Sequence, residues 1–123
     1  MKHPIYIQSI SDLITNSSSE VFICKVNTND TENLRSEIES FINTLMEILG
    51  YVEDDYYAGA TVEIADEDGE VEGYGYQYKK GDILIWSNDD NSIPWNIMSI
   101  LEDLEYLPKF ENEVTNVKRH HLG

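Results

Sequence analysis

A chain of 123 residues, 41% hydrophobic and holding eight tyrosines and two tryptophans, is long enough to bury one core and short for two. Its 24 acidic residues against 8 scattered basic ones leave a formal charge of −16, which argues against a direct grip on nucleic acid, since phosphate neutralisation needs clustered Lys and Arg. One cysteine, Cys24, closes no internal disulfide, which excludes a disulfide scaffold and fits a reducing compartment.

The opening MKHPIYIQSI has neither the apolar core nor the cleavage site of a secretion signal, and no apolar run approaches the ~18 residues of a membrane span. A soluble intracellular protein with a single α+β domain over 1–123 is expected. Residues 4–10 and 20–27, rich in Ile, Val, Phe and Tyr, read as two strands around the connection SDLITNSSS. A helix follows, with Leu34, Ile38, Phe41, Ile42, Leu45, Ile48 and Leu49 at helical spacing, Asn29 placed to cap it and Glu32 three residues on to complete a capping box. Gly50 is expected to end it in the left-handed conformation.

TVEIA, EVEGYGYQY and DILIWS read as three further strands joined by hairpins at Asp68-Gly69 and Gly81. In the second of these, Tyr74, Tyr76 and Tyr78 alternate onto one face, while Gly73 and Gly75 leave the other bare and suggest a bulge. A second helix is expected from about Ser92 to before Pro108, with Pro94 in its first turn, and a last strand within 112–120. The order β-β-α-β-β-β-α-β implies a two-layer α+β fold, both helices on one face of a mainly antiparallel sheet.

Several stretches carry chemistry, each with a plainer alternative. Asn16, Ser17, Ser18 and Ser19 offer an amide, hydroxyls and backbone N–H groups that can hold a phosphate or carboxylate; a polar loop explains the same run. No Gly-x-Ser-x-Gly elbow accompanies them. Asp89, Asp90, Asn91 and Ser92 precede the second helix, where they can cap it, or hold a hard cation such as Mg²⁺. Arg119, His120 and His121 read either as a frayed end or, if the last strand lies beside DILIWS, as one wall of a pocket with the 88–92 loop. Cys24, Trp86 and Trp95 read as core residues. Between Arg35 and Lys79 stand twelve acids and no base, so one side of the molecule is expected to be uniformly negative, as a solvated face or as a docking surface.

Together DLITNSSSEVF, DNSIPW and RHHLG resemble a group of small proteins of unknown function encoded by bacteriophages and gut bacteria. The resemblance carries over no activity and no catalytic residue; it implies a phage-encoded protein acting in the cytoplasm of a bacterial host. In its acidity the chain is similar to phage anti-CRISPR proteins. The expected function is therefore a non-enzymatic inhibitor that fills a basic groove of a host nucleic-acid-handling defence enzyme. Its contacts would be Glu53, Asp54, Asp55, Tyr56, Tyr57, Asp66, Glu67, Asp68, Glu70, Glu72, Tyr74 and Tyr76. The alternative is a protein that binds or sequesters a phosphate or nucleotide, or an enzyme of unfamiliar type, using Asn16, Ser17, Ser18, Ser19, Asn91, Ser92, Arg119 and His120. A phage structural component is a third reading. None of the three calls for a cofactor, and the partner expected is a basic protein rather than nucleic acid or membrane.

Overall fold

The computed structural model describes residues 19–51, 60–71, 73–87 and 93–122. In chain order these form β1 (Glu20–Val26), α1 (Thr31–Ile48), β2 (Thr61–Ile64), β3 (Gly69–Glu70), β4 (Gln77–Tyr78), β5 (Ile83–Ser87), α2 (Trp95–Leu101), a 3₁₀ turn (Leu104–Tyr106) and β6 (Val114–His121). The α+β class and the mainly antiparallel sheet are as the sequence pattern predicts. β1 and β5 are apolar on successive residues, hence on both faces, and such strands belong inside a sheet. They are its two middle strands: the order is β2-β5-β1-β6, antiparallel at every step.

The two faces carry separate cores. Phe22 and Cys24 of β1, Val62 of β2, Ile83 and Ile85 of β5 and Val114 of β6 point to the helices. Against them α1 lays Leu34, Ile38, Ile42 and Met46, spaced four apart, and α2 lays Ile97, Met98 and Leu101. Val21, Ile23, Leu84 and Trp86 point the other way and are covered by the β3–β4 hairpin, through Val71, Tyr78, Tyr74 and Tyr76, and by Leu122. Gly69 permits that cover: a Cβ there would stand 2.8 Å from the Tyr78 hydroxyl and 3.0 Å from its ring. Within this second core the Trp86 indole Nε1 donates to the buried Glu63 carboxylate at 2.9 Å.

The structure differs from the sequence reading at several boundaries. The α1 cap is Asp30, whose carboxylate accepts from the Asn33 N–H at 3.1 Å; Asn29 stands one residue too early, and Glu32 turns to Arg35 instead of closing a capping box. Gly50 does end the helix left-handed, with φ 79. EVEGYGYQY is not one strand: Gly73 and Gly75 take φ 87 and 76, so the chain reverses between Glu70 and Gln77 and β3 pairs with β4. The partner of β2 is therefore β5, with the hairpin inserted between them. Of the two glycine turns, Gly81 has positive φ and Gly69 lies in β3.

Pro94 is the cap of α2 rather than a residue of its first turn, extended at ψ 151, and its carbonyl accepts from Ile97 and Met98. The helix stops at Leu101, and the tighter 3₁₀ turn keeps Leu104 on the core while Phe110 swings under α1, its ring 5.3 Å from Phe41 at 75°. Trp95 is no core residue, being 74% exposed; Trp86 is one. The predicted strand at 4–10 lies outside the described residues. Among the described residues no helix is long and apolar enough to cross a membrane.

Candidate functional site

β1 meets β5 on one side and β6 on the other, and this topology gathers the flanks of three distant sequence motifs. Glu20 faces Ser87 across one ladder and His121 across the other, so Ser87, Glu20 and His121 form a row over three strands. The serine run ends at Ser19, fully buried beside this row. β6 thus runs beside β1 and not beside DILIWS, and the Arg-His-His sequence is paired strand rather than a frayed end.

Within the row the charged groups find one another. Arg119, two residues before His121 on β6 and on the same, helix-facing side, gives Glu20 its Nε and Nη2, the latter at 3.0 Å, and its Nη1 to Glu102 at the end of α2. His121 Nδ1 stands 3.3 Å from the same Glu20 carboxylate. Burial pushes the Glu20 carboxyl up, but the hydrogen bond and charge of Arg119, with His121 adding, outweigh it and hold the group below its ordinary range. The hydrogen bond to Glu20 does most to hold the Arg119 guanidinium charged; burial opposes it, and the hydrogen bond to Glu102 with the charges of both carboxylates carries the balance upward. The oxygen of Ser87, fully buried, has no hydrogen-bond partner among the described residues.

Strand alternation separates the two histidines. His120 points to the hairpin face, where its ring stacks on Tyr76 at 3.9 Å and 14°, and Tyr76 lies parallel to Tyr74 at 6.1 Å. The ligand reading named His120, but it is His121 that joins the row. Glu20, Ser87 and Glu102 were not singled out by the sequence. A signal existed for Glu20, a carboxylate opening an apolar strand that needs a cation opposite, but naming Arg119 as that cation requires the ladder register.

The acidic candidates occupy a different part of the molecule. Asp66, Glu67, Asp68 and Glu70 are exposed on β3 and the connection leading into it. Their influence reaches inward: burial pushes the Tyr78 phenol up, and the charges of Glu63, Glu67 and Asp66 push it further. Tyr74 and Tyr76 are half-buried and packed against the hairpin-side core. Glu53, Asp54, Asp55, Tyr56, Tyr57, Glu72, Asn16, Ser17, Ser18, Asp89, Asp90, Asn91 and Ser92 lie outside the described residues.

Both arginines of the chain are clamped. Arg35 is held by Glu32 at 2.7 Å and Glu39 at 3.4 Å, at the wall of an open cleft of about 390 Å³ along β2. Lys25 is paired with Asp82 at 2.6 Å. Among the described residues no group of three or more His, Cys, Asp or Glu is placed to hold a metal ion. Comparisons of the chain with models of protein families, with curated proteins and with solved structures find no match.

Proposed function

We propose that this chain is an acidic binding module that docks into a basic groove of a partner, in the manner of a phage-encoded inhibitor of a host nucleic-acid-handling enzyme. The observation that supports it is the fate of its positive charge. Each arginine lies between two carboxylates and Lys25 lies against Asp82; Asp66, Glu67, Asp68 and Glu70 are exposed, and of these Asp68 has Lys79 at 3.8 Å. The field leaving the molecule is therefore negative, which steers it toward a basic surface and makes the association salt-sensitive.

The test is capture from bacterial lysate at low salt, elution along a salt gradient, and repetition with a variant in which Asp54, Asp55, Asp66, Glu67 and Asp68 are changed to Asn or Gln. A salt-released nucleic-acid-handling enzyme that the folded variant no longer retains is the expected result. Undiminished retention by the variant would remove charge as the basis of binding. A second reading, a small-ligand protein, is favoured by a separate observation: Ser19, Ser87 and Arg119, which belong to or adjoin the three motifs, stand at one end of the sheet.

A further inference from the structure

Trp95 opens α2 with 74% of its surface in water, whereas the chain's other tryptophan, Trp86, is 3% exposed. Tryptophan is on average a well-buried side chain, because its ring removes a large apolar area from water when it packs. Trp95 is not isolated. The Tyr51 hydroxyl, just past the end of α1, donates to Asn96 Oδ1 at 3.4 Å, so α2 begins beside the place where α1 finishes. In the last turn and cap of α1, Ile48 and Leu49 are themselves 71% and 47% exposed. Three large apolar side chains, used by neither core, therefore lie at one end of the helical layer.

The stretches of chain that carry them hold no positive charge. Trp95 belongs to residues 81–108, which contain six acids and no Lys, Arg or His; Ile48 and Leu49 belong to residues 36–78, with twelve acids and again no base. The last turn of α1 has no basic residue either, so the partial negative charge at that helix end is not answered from within the helix. A cation arriving here meets carboxylates, a helix C-terminus and an exposed indole, the best of the aromatic faces for a Lys or Arg.

We propose that Trp95, Ile48 and Leu49 form the apolar centre of a docking surface for a basic amphipathic segment of a protein partner, which sets apolar side chains on this patch and Lys or Arg around it. The proposal rests on the basic-partner reading above and deepens it by dividing the work: the acids draw the partner in, and the patch holds it. Binding energy in interfaces is commonly concentrated in a few such side chains, with tryptophan prominent among them, while exposed charge governs approach and salt dependence. The anchor is then Trp95 rather than Tyr74 and Tyr76, which are packed against the hairpin-side core. A second copy of the chain suits the patch less well, since it would bring another charge of −16 to the same place.

Two synthetic peptides of equal length and charge provide the test, one with Lys and Leu at amphipathic helical spacing, the other with Ser in place of every Leu. Each is titrated at several salt concentrations into the wild-type protein, Trp95→Phe, Trp95→Ser and Ile48→Ser, all changes at exposed positions, with affinity and tryptophan emission recorded. Both peptides are expected to bind the wild-type protein more weakly as salt rises, the Leu peptide about tenfold more tightly than the Ser peptide. The Leu peptide should also shift the emission to the blue, and Trp95→Phe should abolish that shift. Trp95→Ser and Ile48→Ser should bring the affinity for the Leu peptide down toward that for the Ser peptide with the salt dependence unchanged. Equal affinity for the two peptides, no blue shift, or Leu-peptide binding that neither serine variant weakens would overturn the proposal and leave charge-steered docking standing. Failure of both peptides to bind would overturn the basic-partner reading together with the proposal. A dimer of the free protein in sedimentation, dispersed by Trp95→Ser, would give the patch to a second copy and overturn the proposal alone.

Discussion

Cys24 sits in the middle of β1, fully buried, and burial first, then the charges of Asp82 and Glu105, push its thiol up to about 12. A thiol so far from ionising is no nucleophile, which assigns Cys24 to packing on the helix face with Phe22 and Ile83. Asp30 matters in the opposite way, through a polar contact at the surface. It satisfies an N–H of the first turn of α1 and places a negative charge where the helix end is positive. Asp30→Ala is expected to cost about 1 kcal/mol, read as a lowered urea midpoint with unchanged slope. Substituting Asn29, which the spacing alone nominated as the cap, should leave that midpoint nearly unmoved.

Among the elements, the β3–β4 hairpin decides how the second face of the sheet is closed, and a stack of three rings ties it to β6. Tyr74 and Tyr76 come from the hairpin and His120 from the strand. Burial, with Lys118 adding, holds His120 below its ordinary value of 6.5. The unfolded chain therefore takes up this proton at a higher pH than the folded one does. The stability concerned is present above about pH 6.5 and is lost as pH falls through the folded value. His120→Phe keeps the stacking and removes the proton site, so its melting temperature should fall less steeply than that of the wild-type protein between about pH 7 and pH 5. Equal slopes would mean that His120 does not govern the hairpin's pH response. The loss governed by Glu20, also depressed, begins lower, near its ordinary 4.5. This hairpin is also where the sequence was least legible. The helix pattern from Leu34 to Ile42 and the apolar runs at 20–26, 61–64 and 83–87 announced their elements, because burial imposes its period on neighbouring residues; at the end of the helix the pattern misled, since Met46 is buried whereas Ile48 and Leu49 are exposed. Nothing local told that Gly73 and Gly75 would reverse the chain, since glycine suits a bulge as well as a turn. Nor could Glu20 be matched with Arg119 or His121, because a ladder register between strands so far apart in the chain leaves no mark in either strand alone.

Taken whole, the molecule balances a well-packed interior against a surface that repels itself. With 24 acids to 8 bases, and both arginines already held by carboxylates, added salt should relieve more repulsion than it weakens attraction. The melting temperature is expected to rise between about 0.02 and 0.3 M NaCl, measured by circular dichroism; a fall would mean that the ion pairs of Arg35, Arg119 and Lys25 outweigh the repulsion. The sheet order has a consequence in time as well as in space. β1 needs β5 on one side, which Lys25 and Asp82 join across 57 positions, and β6 on the other, where Glu20 meets Arg119 across 99. At roughly 5–20 residues per second of synthesis, those 99 positions take on the order of 5–20 s to emerge from the ribosome. For that interval β1, apolar at Val21, Phe22, Ile23, Cys24 and Val26, has no neighbour on its β6 side, and its companions in the crowded cell are whatever else is near.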